Sequence, residues 1–128
     1  MGFVLKTGRG ELLLNGIVVK ASPTTGTLGP ILVEQTFERG YATNLHTHDQ
    51  GDELFYVVSG RGTATLGDKT ETIEPGDVIL VSQSTVHRMA NPDNDEPLKV
   101  VYFMDSPELV EQFRALHERI ASEPDRPI

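Results

Sequence analysis

Gly40-Tyr41-Ala42-Thr43-Asn44-Leu45-His46-Thr47-His48-Asp49-Gln50-Gly51-Asp52-Glu53-Leu54-Phe55-Tyr56-Val57-Val58-Ser59-Gly60 is the stretch on which the fold turns. Within residues 53–59, Phe55-Tyr56-Val57-Val58 is an aromatic and β-branched run, the composition of a strand. Upstream, His46 and His48 stand at positions i and i+2, so on a strand over 44–47 their side chains project from one face. The polar residues 49–52 reverse the chain and bring Glu53 in from the neighbouring strand. His87 follows on a separate hairpin after the Pro75-Gly76-Asp77 turn. Three imidazoles and a carboxylate on strands can converge on one ion at about 2.0–2.2 Å. Each signal alone is weak, since a lone His-x-His on a surface strand is ordinary solvated polarity. Their joint placement beside strong turn signals makes His46, His48, Glu53 and His87 a candidate metal-binding set. The remaining histidine, His117, falls in a helical segment and is read as helix surface.

Working outward, short β-type runs alternate with turn residues along most of the chain, the pattern of a sandwich or barrel. Strands are expected over residues 11–14, 17–21, 31–38, 44–47, 53–59, 62–66, 70–73, 78–81, 86–90 and 98–104. Ser59-Gly60-Arg61-Gly62 and Leu66-Gly67-Asp68-Lys69 supply glycine where hairpins need positive φ. Residues 22–29 read as a loop over one end of the sheet, and residues 92–97 as a solvated loop. Beyond Met104 the pattern becomes helical. Ser106 suits an N-cap, Pro107 the first helical position, and Glu108 the positive end of the dipole. Leu109, Val110, Phe113, Leu116 and Ile120 form one apolar stripe of a helix over about 106–121.

Bulk properties narrow the function classes. The 128 residues suit one domain with a real core. There is no cysteine, which removes disulfides, thiolate ligands and a cysteine nucleophile, and is compatible with the cytoplasm. A formal net charge of −8 argues against nucleic acid, whose phosphates need a basic stripe. No apolar run is long enough to span a bilayer, and the N-terminus lacks the pattern of a secretory signal or an acylation site.

The spacing resembles that of the cupins. Their first motif, G-x5-H-x-H-x3-4-E-x6-G, is matched at Gly40, His46, His48, Glu53 and Gly60. Their second, G-x5-P-x-G-x2-H-x3-N, is matched at Gly76, His87 and Asn91, with Ser82 and Ser84 at its Pro and Gly positions. The stretch between the motifs is short, as in small single-domain cupins, including quercetin dioxygenase-like ones. The resemblance implies an all-β double-stranded β-helix, or jelly-roll barrel, with a C-terminal α-helix. It implies one domain over 1–128, with motifs at 40–60 and 76–91. It also implies one divalent metal ion per chain and a homodimer, to which residues 3–5 could contribute a crossing strand. Ser82-Gln83-Ser84-Thr85 can still turn before His87 through side-chain hydrogen bonds, though less rigidly than Pro and Gly would.

A mixed nitrogen and oxygen donor set suits Fe, Mn, Co, Ni or Zn. Four protein ligands on a six-coordinate ion leave two positions for water, substrate or dioxygen, the usual mark of a catalytic centre. The resemblance implies dioxygenases among the relatives. Glu53 is then a ligand or a general base. Non-redox isomerase, lyase or decarboxylase chemistry and a non-catalytic ligand-binding role are the alternatives. Alternation places Phe55 and Val57 on the side of Glu53 and Met89 on the side of His87, with Phe37 or Gln35 facing the same cavity. Phe37, Phe55, Val57 and Met89 therefore outline a small, mainly apolar substrate pocket, or simply fill the barrel. Arg88 falls on the opposite face. Leu54, Tyr56 and Val58 are apolar as well, so the outer side of that strand calls for a cover: a sheet, the terminal helix or another subunit.

Overall fold

The computed structural model describes residues 2–13, 15–47 and 51–105. Among the described residues nine strands follow one another: β1 (Glu11–Leu12), β2 (Ile17–Ala21), β3 (Ile31–Phe37), β4 (Glu53–Ser59), β5 (Gly62–Leu66), β6 (Lys69–Ile73), β7 (Val78–Val81), β8 (His87–Ala90) and β9 (Leu98–Met104). They form a six-stranded sheet, in the order β1-β2-β3-β9-β4-β7, and a three-stranded sheet, β6-β5-β8. All the pairings are antiparallel. The architecture is the all-β jelly roll, a double-stranded β-helix, as the spacing implied.

The alternation of side chains builds the core directly. On β3 the buried set is Ile31, Val33, Gln35 and Phe37, and on β9 it is Leu98, Val100, Tyr102 and Met104. β4 contributes Glu53, Phe55 and Val57 to the same interior. Ala64, Ile73 and Met89 of the small sheet join this one hydrophobic cluster, so the two sheets face each other across a shared core. On the opposite side of β4, Leu54, Tyr56 and Val58 stand 46%, 50% and 43% exposed, and the small sheet does not cover them.

Two local differences from the sequence reading stand out. Residues 44–47 do not form a strand; they contribute a single bridge at His46. The loop over 22–29 contains one 3-10 turn, Pro23–Thr25, led by Ser22 and closed by Gly26 at φ 116°. The expected helix over 106–121, with His117 in it, lies outside the described residues, as do Leu14 and residues 48–50.

β9 lies between β3 and β4, so the large sheet closes through pairings distant in sequence. Gly60 makes the turn out of β4 possible. Its φ is +77°, and a Cβ there would lie 2.1 Å from the Pro97 carbonyl oxygen and 2.8 Å from the Leu98 Cα. Both are backbone atoms that cannot swing away. Gly60→Ala is therefore expected to cost about 2 kcal/mol or more, from left-handed strain plus displacement of β9. Urea unfolding of the variant measures this, and an unchanged midpoint would contradict it.

Candidate metal centre

The site is assembled by one narrow backbone contact. The His46 amide donates to the His87 carbonyl at 3.1 Å, and the His87 amide returns a bond to the His46 carbonyl at 2.8 Å. Residues that exchange both bonds sit directly opposite and send their side chains to the same face. The two rings accordingly lie with centroids 4.1 Å apart. Thr43, three residues upstream, strengthens this junction. Its hydroxyl accepts from the Met89 amide at 3.1 Å, and its amide donates to the Met89 carbonyl at 3.0 Å.

Glu53 arrives from the other sheet, at the start of β4, with Met104 on one side and Val81 on the other. Its Oε1 lies 3.2 Å from His87 Nε2, and both residues are almost wholly buried. One donor atom from each of His46, Glu53 and His87 lies within 4.8 Å of the others. The cluster therefore bridges the gap between the two sheets at the end where β9 finishes. His46 is the more open member, half-buried, while Glu53 and His87 sit deeper.

The ring orientations answer which nitrogens face inward. His46 Nδ1 lies 2.6 Å from the Asn44 carbonyl oxygen, and His87 Nδ1 lies 2.9 Å from the Thr85 carbonyl oxygen. A carbonyl oxygen can only accept, so each Nδ1 carries a proton and donates it. In the neutral imidazole that leaves Nε2 as the lone-pair atom in both rings. Two Nε2 lone pairs and a carboxylate aimed at one point fit a divalent first-row ion, and each ring is oriented by a backbone carbonyl behind it. His48 lies outside the described residues.

The turn leading into His87 explains the two serines. Ser84 has φ 66°, the left-handed region that glycine adopts at least cost. The Thr85 amide donates to the Ser82 carbonyl at 3.1 Å, and the Gln83 amide donates to Asp52 Oδ1 at 3.1 Å. The second of these bonds ties the turn to the residue preceding Glu53. The turn thus forms without Pro and Gly, at the expense of one strained residue. Asn91 fixes the far end of β8. Its side-chain amide donates to the carbonyls of Phe37, Asn94 and Glu96, and its Oδ1 accepts from the Asn94 amide.

Phe37, Phe55, Val57 and Met89 all point inward and are buried in the shared core, but Phe37, paired with Leu98, lies at the opposite end of β9 from Met104 and Glu53, while Phe55 and Met89 lie two residues from Glu53 and His87. Arg88 points away and donates to the Thr43 carbonyl at 3.0 Å. Sequence reasoning passed over Tyr102. It is the polar member of the inward series on β9, packs against Phe55 with ring centroids 4.7 Å apart, and its hydroxyl donates to Gln35 Oε1 at 3.2 Å. Burial and then the nearby Glu53 carboxylate push its pKa well above 10.0. The 98-100-102-104 alternation places it inside the barrel but does not mark its hydroxyl as a polar contact. A tyrosine inside an apolar barrel needs a partner for its hydroxyl.

The family model described as "Cupin domain" matches residues 33–104. The chain belongs to the cupin family. This cupin is 34% identical over 70 residues to the uncharacterized protein MJ1618 of Methanocaldococcus jannaschii, a match covering 55% of each chain. It is 33% identical over 103 residues to 1-hydroxy-2-naphthoate 1,2-dioxygenase of Nocardioides sp. strain KP7, covering 77% of this cupin and 26% of that protein. It is 31% identical over 90 residues to quercetin 2,3-dioxygenase of Bacillus subtilis, covering 66% of this cupin and 26% of that enzyme. The chain thus spans about half of the first relative and about a quarter of the two dioxygenases. Among solved structures, the polyketide cyclase RemF of Streptomyces resistomycificus shares the fold with a TM-score of 0.70 at 19% identity. That match covers 82% of this cupin and 79% of the cyclase.

Two measurements test the local physics of this cupin. Ser84→Gly removes the left-handed strain and is expected to raise stability by about 0.5–1 kcal/mol in urea unfolding, net of the added freedom of the unfolded chain. For Tyr102, a raised folded-state pKa means that the folded form holds its proton longer than the unfolded form. The stabilisation is complete below the unfolded value of 10.0 and is lost as pH rises above it. Stability should therefore fall above pH 10, and Tyr102→Phe should flatten that fall; an equally steep fall in the variant would contradict the assignment.

Proposed function

We propose that this protein is a metal-dependent cupin enzyme acting on a small oxygenated organic molecule by dioxygenase-type chemistry. The observation that carries the proposal is the convergence of His46, Glu53 and His87, with both imidazoles turned to present Nε2. His48 is the fourth ligand of the proposed set. The identity to two dioxygenases, 33% and 31%, supports the reaction class.

When bound, a redox-active ion would supply Lewis acidity and electron transfer between the organic substrate and O2. Both oxygen atoms enter the substrate, which itself supplies the electrons. The protein's own contribution is to bind and orient. Glu53, 3.2 Å from His87 Nε2, is placed to take a proton from an acidic hydroxyl or enol of the incoming molecule. Phe55 and Met89, two residues along the same inward faces from Glu53 and His87, form the apolar side of the substrate site, and burial there excludes water from the reacting group. Tyr102 stays protonated and, through its bond to Gln35, holds a fixed hydroxyl dipole near Glu53.

The protein acts, in this reading, as a cytoplasmic homodimer on a small-molecule substrate, without nucleic acid or membrane as partner. Among the described residues, no helix is long and apolar enough to cross a membrane.

Elemental analysis of protein purified without added metal is expected to find close to one transition-metal ion per chain. His46→Ala, His48→Ala and His87→Ala should each weaken metal binding by more than the roughly 10–100-fold that loss of an outer-shell partner costs. The Fe-loaded protein should consume O2 with some member of a panel of flavonols, β-diketones and enediols, and Glu53→Gln should abolish that uptake. Full metal content in the histidine variants would refute the ligand set. Metal binding without turnover across the panel would refute the reaction class.

A further inference from the structure

β6 and β7 are consecutive strands that do not pair with each other. Each is an edge strand, because the turn over residues 74–77 carries the chain from the small sheet to the large one. That turn is pinned to β4. The Val57 amide donates to the Asp77 carbonyl at 3.0 Å, and the Gly76 amide donates to the Val57 carbonyl at 2.9 Å. Beyond this closed end a cleft of about 550 Å³ separates the two strands. Its floor is the barrel interior: Ala64, Ile73 and Ile79 belong to the core cluster, and Leu66 packs against it. Register sets this floor beside the metal centre on both sheets. Leu66 stands opposite His87, while Ile79 stands opposite Phe55 and two residues before Val81, the partner of Glu53. His46 is not among the residues that line the cleft, which reaches the interior from the flank of the barrel.

The lip of the cleft breaks the apolar alternation. Ile73 faces inward, so Glu71, two residues before it and opposite buried Ala64, lies on the same face of β6. The Thr65 and Thr70 hydroxyls, 2.9 Å apart, mark the other face. Glu71 is exposed even so, because it borders the cleft. Asp77 adds a second carboxylate at the closed end, where its Oδ2 accepts from the Glu74 amide at 2.8 Å. The charged residues lining the cleft are thus both acidic; Lys69, the next inward position on β6, is not one of the lining residues. An inward charge on an edge strand guards against addition of a foreign strand. That role accounts for Glu71 but not for the cavity beside it.

We propose that this cleft is a lateral entrance and holding groove for the substrate of the metal centre, with Glu71 as its specificity-determining residue. The inference rests on the metal-centre reading and deepens it. The volume falls in the range of roughly 300–1,000 Å³ that small-molecule sites occupy, with an apolar floor and few polar groups. A carboxylate only accepts hydrogen bonds, so the group that lies against Glu71 is a hydroxyl or an ammonium on an apolar skeleton. A carboxylated or phosphorylated molecule is repelled, since charge in a cleft with apolar walls is poorly screened.

The chain has no cysteine, so a single introduced thiol reports on the cleft. Leu66→Cys places it on the floor, and Thr65→Cys places it on the outer face one residue away. Methanethiosulfonates of matched size, bearing a trimethylammonium or a sulfonate group, form a mixed disulfide with the thiolate and release methanesulfinate. The cation-to-anion rate ratio at Leu66→Cys is expected to exceed that at Thr65→Cys by about tenfold, and Glu71→Gln should bring the two ratios within about threefold. In the Co(II)-loaded protein, acetylacetone, a neutral β-diketone, should shift the visible absorption. A bulky maleimide cap on Leu66→Cys should slow that association several-fold, and the same cap on Thr65→Cys should leave it unchanged. Equal ratios at the two thiols would overturn the charge-selective entrance, and a difference that survives Glu71→Gln would remove Glu71 as its cause. Acetylacetone binding at full rate with the floor capped would show that the cleft does not serve the centre. No spectral response in uncapped protein would refute the metal reading itself, and with it the link to the centre, while the thiol rates would still stand.

Discussion

The reciprocal pair of backbone hydrogen bonds between His46 and His87 is the contact on which the centre depends. It fixes two side chains on one face without calling on either imidazole, so both rings stay available for other work. Each Nδ1 is then held by a carbonyl two residues earlier in its own chain, Asn44 or Thr85. Position, tautomer and direction are thus set by the main chain alone. Side-chain substitutions around the pair can alter the pocket while the donors keep their aim.

Glu53 is held by different means. It opens a central strand of the large sheet, clamped on both sides by β7 and β9, and faces the small sheet across the core. The centre is therefore also a seam, where one sheet supplies the carboxylate and the other side supplies His87. The turn over 82–85 spans that seam covalently, and Asp52 accepts its Gln83 amide to keep it there. Strain at Ser84 is concentrated in this turn, in keeping with the general tendency of backbone strain to collect beside functional groups.

Much of this was legible in the sequence. The period-2 alternation on β4 marked Glu53, Phe55 and Val57 as one inward face, because a side chain in a strand has only two faces to choose from. The spacing of His46, Glu53 and His87 carried the donor set, since turns flanked each of them. What could not be read was pairing. Residues 44–47 have strand-like composition, yet they make one bridge, because the small sheet offers them only the end of β8 as a partner. The insertion of β9 between β3 and β4 is a matter of topology, with no local signature. Tyr102 was hidden by its neighbours: amid Val100, Val101 and Phe103 it looks like one more apolar strand residue, and only its contact with Gln35 shows its polar use.

The position of β9 also governs when the protein can become itself during synthesis. β3 and β4 are made early but are not hydrogen-bonded to each other; both wait for a strand that leaves the ribosome last among those described. Until it does, Phe37, Phe55 and Val57 lack the Leu98, Val100 and Tyr102 surface that completes their burial. The nascent chain must therefore be kept from premature association, and its folding is a late, largely single event limited by long-range loop closure. The carboxylate of Glu53, bordered by Met104, takes its final place in that same step. Acquisition of an ion by these donors would then follow the docking of β9 rather than precede it.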